Sequence, residues 1–277
     1  MSSPRDISSF SLKIIAIVGM TGNHVAYVLG PYLPAWVTVI IFSIGGLTFP
    51  VMAFLIAEGY HHTSSLRRYA SRLALFAFIS QIPYGLLWGF SGNVLITLLL
   101  GLASIHAIER LSSPLSKIGA VSIAVAASSF CDWGIIGPLL ICLFHVKRGE
   151  GPKGIATSMV LPLVVLGLPA VGYFFAIVGG QELTFSPAAS AAQVSTLAAL
   201  GLPTLANATL IGDALFLLPA HTIAAGEIGY VFAGVLAATI LLTRYRGRRG
   251  RPLKWFFYLY YPLHLGILWL AGVALCG

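Results

Sequence analysis

The stretch KIIAIVGMTGNHVAYVL, Lys13 to Leu29, decides how the rest of the chain is read. Its length and apolar content are those of a helix crossing bilayer hydrocarbon, which takes about 20 residues. Asn23 and His24 nevertheless lie beyond its midpoint, where hydrocarbon penalises both, and an ionisable residue inside a membrane is a functional hypothesis by default. Lys13, Met20 and His24 fall on one face, because offsets of four and eleven residues return near the same helical angle. At about 1.5 Å rise per residue, His24 lies roughly 16 Å beyond Lys13, at or past mid-membrane.

Composition extends this reading to the whole chain. Hydrophobic residues make up 58% of the 277 and charged residues 9%, and the mean hydropathy is +0.92. Soluble domains carry about a quarter of their residues as charges, so the class is a polytopic membrane protein. No stretch between hydrophobic segments has the mixed pattern of a soluble domain, and residues 1–277 are expected to form a single membrane-embedded domain. The first apolar run ends in no small-residue cleavage site and leads into another apolar segment, so it reads as a first helix and not as a signal peptide. Cys131, Cys142 and Cys276 have no metal-ligand spacing, and neither a disulfide framework nor a metal site is expected.

The remaining candidate spans are Trp36 to Ala57, Arg72 to Gly89, Asn93 to Ile108, Ile155 to Val178, Ile228 to Leu242 and Trp255 to Leu275. Between Ile118 and Val146 the run FCDWGIIGP, with Asp132, Gly134, Gly137 and Pro138, predicts two short or broken helices, tolerated where the freed backbone faces protein. The expected fold is an all-α transmembrane bundle of about nine spans (eight to eleven). Residues 180–227 are expected to be a re-entrant or external insertion or to hold further spans. The segments HHTSSLRRYASR, ERLSSPLSK, HVKRGEGPK and RYRGRRGRPLK hold most of the sixteen basic residues. By the positive-inside rule they are cytoplasmic, which puts the N-terminus in the cytoplasm and the C-terminus outside.

A net charge of +8 does not point to nucleic acid, because the cations sit in short loops without aromatic interleaving. Loop charge for topology and attraction to anionic lipid headgroups account for most of it. The last loop exceeds that explanation: Arg244, Arg246, Arg248, Arg249, Arg251 and Lys254 put six cations in eleven residues. Guanidinium groups at that density suit a phosphorylated small molecule. Arg67, Arg68 and Arg72 form a second cluster on the same side. Glu58, at the end of the second span, faces this cluster and reads equally as a salt-bridge partner or a substrate contact.

Further polar groups punctuate the spans. Asn93, Thr97 and Ser104 share one face of the fourth span, a stripe suited to interhelical hydrogen bonding. His61 and His62 are placed in a solvated loop. In the last span Lys254, Tyr258 and Tyr261 share a side, with His264 three residues beyond Tyr261, and interfacial anchoring by aromatic residues does not explain that histidine.

The blocks LKIIAIVGMTGNHV, LTFPVMAFLIAEGYHHTSSLRRYASRLALFAFISQIPY, NVLITLLLGL, DWGIIGPLLI and RGRRGRPLKWFFYLYYPLHLGILWL resemble, in order, those of TraX-family integral membrane proteins, named for the acetylase of conjugative F-type pilin. The resemblance covers roughly Leu12 to Val146 and Arg244 to Leu270 and leaves Gly151 to Thr243 unmatched. It implies an acetyl-CoA-dependent acyltransferase of the bacterial inner membrane whose acceptor is the N-terminal amine of a pilin subunit. The family's pattern often has Asp before the histidine, where this chain has Asn23. A carboxylate that orients His24 would then be another, such as Glu58 or Asp132.

Elementary chemistry is compatible with that implication. Acyl-CoA carries several phosphate charges and cannot enter hydrocarbon, so a cationic clamp of Arg67, Arg68, Arg72, Arg248, Arg249, Arg251 and Lys254 would hold it at the cytoplasmic face. Tyr258 and Tyr261 would line the path of the pantetheine arm. Attack on a thioester needs no metal, but the nucleophile must lose a proton, and neutral imidazole is the usual acceptor near pH 7. His24 is the candidate base, with Asn23, Glu58, Asp132 and His264 as candidate helpers and Asn93, Thr97 or Tyr261 as donors to the oxyanion. An envelope glycan or lipid is the alternative acceptor. A small-molecule transporter, though no internal repeat is visible, or a membrane assembly factor is the alternative function.

Overall fold

A computed structural model describes residues 7–89, 91–180 and 210–276, with the side chains of a few of these outside the description. Nothing among the described residues forms a strand. Six helical units are long and apolar enough to cross a membrane: Ser9–Tyr32, Ala35–His62, Leu66–Trp88, Pro152–Val178, Ala220–Thr243 and Trp255–Leu275. Three shorter helices, Val94–Arg110, Pro114–Ser128 and Ile136–Val146, bring the helical units among the described residues to nine.

In chain order the helices are α1 (Ser9–Leu29), α2 (Ala35–Gly45), α3 (Thr48–His62), α4 (Leu66–Trp88), α5 (Val94–Arg110), α6 (Pro114–Ser128), α7 (Ile136–Val146), α8 (Pro152–Ser158), α9 (Val160–Val178), α10 (Ala220–Ile228), α11 (Val235–Thr243) and α12 (Lys254–Cys276). Several expected spans are broken. The second is split into α2 and α3 at Gly46 and Leu47. The eighth begins at Ala220 and contains one π-helical stretch, Gly229–Gly234. Residues 220–227 therefore belong to a span and not to an insertion. Of the rest of the expected insertion, Leu210–Leu217 forms a 3-10 helix, and residues 181–209 lie outside the described residues.

Helix packing in lipid rests on close van der Waals contact, since lipid tails are as apolar as the side chains they would displace. The sequence supplies that closeness with glycine. A Cβ on Gly46 would meet the Tyr230 carbonyl oxygen at 1.9 Å, and one on Gly234 would meet the Gly46 Cα at 2.6 Å, so α2 and the π stretch touch backbone to backbone. A Cβ on Gly101 of α5 would lie 2.2 Å from the Ile141 Cδ1 of α7. Around these contacts Leu12, Ala16, Val51, Leu98, Leu140 and Leu265 are fully enclosed. The polar stripe of α5 faces inward as expected: Asn93, Thr97 and Ser104 are buried.

The helix α7 has 11 residues, about 16 Å, half the hydrocarbon thickness. Its approach from α6 is non-helical, and protein satisfies the freed backbone. The Gly92 N–H donates to the Phe130 carbonyl at 2.8 Å, the Asp132 N–H to the Gly92 carbonyl at 2.7 Å, and the Thr97 hydroxyl to the Asp132 carbonyl.

All the cationic connections meet at one end of the bundle. The start of α1 pairs with the last basic loop, with Ser9 N–H donating to the Arg248 carbonyl at 2.8 Å and Phe10 N–H to the Arg249 carbonyl at 3.2 Å. Arg148 Nε donates to Glu58 at 2.8 Å, joining the end of α3 to the segment after α7. His145 Nε2 lies 2.7 Å from Glu109 and joins α7 to the end of α5.

Candidate functional site

A cavity of about 980 Å³ runs from this cationic end into the bundle. Small-molecule sites span roughly 300–1,000 Å³, so there is room for a large ligand. At the cationic end Lys13, Arg68, Arg72, Arg249 and Arg251 line it; deeper, its wall includes Asn23, His24, Trp88, Asp132, Trp133 and Tyr230. Lys13 and His24 therefore share this cavity as well as a helix face.

His24 is buried on α1, and its Nδ1 lies 2.8 Å from Nε2 of His264, which is buried on α12. The two rings are parallel within 4° and their centres 5.0 Å apart. On the far side, His264 Nδ1 is 3.0 Å from the carbonyl oxygen of Tyr260. A carbonyl only accepts, so His264 carries its proton on Nδ1 and presents a lone pair at Nε2. His24 must then donate from Nδ1, which leaves its own Nε2 without a proton. The chain Tyr260 carbonyl, His264, His24 thus holds the imidazole in the tautomer of a base, the task that a carboxylate performs in other sites. Trp88 stands 5.1 Å from the His24 ring and Tyr261 6.5 Å.

Neither carboxylate named from sequence fills that role. Glu58 lines the cavity near its mouth, but one oxygen is bonded to Arg148 and the other lies 3.3 Å from His62 Nε2. Asp132 also reaches the cavity, on the connection between α6 and α7. Its carboxylate accepts from the Trp133 N–H and has no ion-pair partner among the described residues. Trp133 itself is held at φ +64°, a left-handed conformation uncommon for a bulky residue, and its ring stacks on Phe49 at 4.3 Å.

Of the three oxyanion donors named from sequence, Asn93 and Thr97 are committed elsewhere, whereas Tyr261 lines the cavity with its buried hydroxyl unpartnered. Asn93 caps α5 through the Leu95 N–H, and its Nδ2 donates to the Ala77 carbonyl and to Gln81; Thr97 donates to the Asp132 carbonyl. Asn23 is different. Its side chain packs over Gly45, where a Cβ would meet it at 2.4 Å, and its buried Nδ2 has no hydrogen-bond partner.

Of the cations assigned to a clamp, Arg68, Arg72, Arg249 and Arg251 line the cavity, with Tyr258 and Tyr261 below them, whereas Arg67 and Arg248 do not. The side chain of Lys254 lies outside the described residues. Arg72 lies against the Tyr258 hydroxyl, while its buried Nε has no partner. Lys13, which sequence reading left out of the clamp, joins it, with Nζ 5.3 Å above the Phe257 ring.

His61 and His62 are exposed, as expected, but close the last turn of α3 instead of lying in a loop. His61 Nε2 lies 3.1 Å from His145 Nδ1, and His145 in turn bonds Glu109. Trp88, Trp133 and Tyr230 were missed as cavity residues. Trp133 lies inside a quoted block and Trp88 just beyond one, and both carried a signal, an aromatic beside glycine. Tyr230 carried none, because it reaches the cavity through the π-helical stretch.

With this geometry in view, the family model described as "TraX protein" matches residues 8–212. The chain belongs to the TraX family. The match crosses residues 151–212, where the sequence blocks show no resemblance. This TraX-family chain is also 27% identical over 286 residues to the probable fimbrial assembly protein FimC, serogroup H1, of Dichelobacter nodosus, covering 97% of each chain. No solved structure matches it.

Proposed function

We propose that this TraX-family protein transfers an acetyl group from acetyl-CoA to a component of a pilus or its envelope attachment, at a site inside the membrane. One observation carries the reading: a single cavity connects a cluster of arginines to a tautomer-fixed histidine pair. Lys13, Arg68, Arg72, Arg249 and Arg251 would hold the nucleotide phosphates. The roughly 16 Å from Lys13 to His24 along α1 is a distance that the extended pantetheine arm covers. The positive-inside rule places the cationic mouth in the cytoplasm, where acetyl-CoA is made, in the inner membrane of a bacterium.

The chemistry follows from the unprotonated Nε2 of His24. As the acceptor's nitrogen or oxygen attacks the thioester carbonyl, its proton passes to Nε2, and the imidazolium is stabilised through Nδ1–H by the lone pair of His264. The carbonyl oxygen becomes an oxyanion, for which the uncommitted amide of Asn23 and the unpartnered hydroxyl of Tyr261 are the available donors. Collapse of the tetrahedral intermediate breaks the carbon–sulfur bond, and the proton on His24 leaves with the CoA thiolate. Products are the acetylated acceptor and free CoA, with no metal required.

The fimbrial assembly protein that this chain matches end to end supports a pilus context, and the family resemblance supports acetyl transfer. The test is release of free thiol from acetyl-CoA by the purified protein in lipid nanodiscs, with and without a pilin-derived peptide. Acceptor-dependent thiol release supports the reading. Neither thiol release nor CoA binding would sink it, and flux of a small molecule without acyl consumption would favour a transporter.

A further inference from the structure

The donor half of the reaction gives no part to the carboxylate of Asp132, which lines the deep cavity. Its backbone is pinned by Gly92 and Thr97, and Trp133 supplies one hydrogen bond to the side chain, which leaves most of a carboxylate's acceptor sites unused. Its neighbours are neutral. The hydroxyls of Tyr84 on α4, Tyr230 on the π stretch and Tyr261 on α12 lie within reach of its charge, as does the thiol of Cys131, and no cation balances it among the described residues. Asp132 is partly buried and faces the cavity, where a carboxylate without a counter-ion attracts a cation, while a hydroxyl ligand would leave its charge unbalanced.

The walls around it fit the same ligand. Tyr84 packs on Trp88 at 5.1 Å, and Trp133 lies 6.2 Å from Tyr230, so several π-faces line the cavity beside the carboxylate. Aromatic faces attract a cation through their quadrupole, most strongly where water is excluded. The basic residues of the cavity are all at its mouth, so the deep end is the part of the site that favours positive charge.

We propose that Asp132, with the surrounding tyrosine and tryptophan rings, is the acceptor-recognition site and that it selects a protonated primary amine over a hydroxyl acceptor. This rests on the reading of the cavity as an acetyl-transfer site and adds to it the residue that chooses the acceptor. The ammonium docks against Asp132 and passes one proton to its carboxylate, which releases it to water after turnover; the neutral amine then attacks the thioester and gives its second proton to His24. Tyr261 is shared between the two subsites, standing 6.5 Å from His24 and within the field of Asp132.

The test is binding, measured apart from turnover. A synthetic apolar peptide with a free α-amine and the same peptide with a hydroxyl in place of the amine are titrated into the wild-type protein and an Asp132→Asn variant in nanodiscs at pH 7.5. Asparagine keeps the hydrogen bond from Trp133, so the turn is preserved while the charge is lost. The wild type is expected to prefer the amine by about 10-fold or more, the scale of a hydrogen bond to a charged group, and Asp132→Asn to abolish that preference with CoA affinity unchanged. Equal binding of the two peptides by the wild type, or a preference that survives in Asp132→Asn, overturns the proposal. If that variant fails to fold, Tyr230→Leu takes its place, with a reduced amine preference expected and an unchanged one counting against the site. Amine preference without thiol release from acetyl-CoA would refute acetyl transfer and leave this site standing.

Discussion

His24 and His264, 240 residues apart in sequence, share a 2.8 Å hydrogen bond between parallel rings. The bond makes His264 the residue that positions the base, and the two should differ in what their removal costs. His24→Ala is expected to lower acetyl transfer by about 100-fold or more, as for loss of a general base. His264→Ala should lower it by about 10-fold or more, the scale of losing an orienting partner, because His24 then exchanges between tautomers. Single-turnover rates at saturating donor, with CoA affinity measured in parallel, separate these effects from binding.

The cationic mouth makes a prediction about donor affinity. Replacing Arg72, Arg249 or Arg251 with Gln should each weaken CoA binding by roughly 1.5 to 3 kcal/mol where a phosphate contact is lost. Arg67→Gln, which alters a residue away from the cavity, should leave it unchanged. Titration at two salt concentrations gives the check, since the salt dependence should flatten only in the first group.

Asn23 has no intramolecular hydrogen bond to lose through Nδ2. Asn23→Ala should therefore cost little through lost hydrogen bonding but lower transfer by about 100-fold, the scale reported by removing an oxyanion donor. Asn23→Asp is the sharper control. Full turnover in the aspartate variant would show that the amide N–H is not the donor.

Glu58 pairs with the half-exposed Arg148. Glu58→Gln should cost about 1 to 2 kcal/mol, more than an exposed ion pair because Glu58 is buried, and less than a buried one because Arg148 can rehydrate. Transfer should stay close to wild type, in contrast to a role in orienting His24. Thermal unfolding followed with thiol-release kinetics reports both.

Much of the fold is written locally. Hydropathy over a window of about 20 residues is a property of contiguous chain, and it places the helices to within a few residues. Asp132, Gly134 and Pro138 mark the interrupted crossing because glycine, proline and a charge act on their own backbone. The kink between α2 and α3 escapes the same reading. Gly46 looks like any other glycine until the Tyr230 carbonyl is found against it.

The sequence by itself determined that the chain is an all-helical membrane protein, that its cations lie in a few short connections and that Lys13 and His24 share a helix face. These follow from transfer free energy and a 3.6-residue period, which are set by neighbours along the chain. Only the tertiary structure decided that His264 is the partner of His24, that Glu58 belongs to Arg148, and which arginines face the cavity. Each of those depends on how one helix is rotated about its axis against another, and that rotation is fixed by close packing between residues far apart in sequence, such as Gly46 with Gly234 and Gly101 with Ile141.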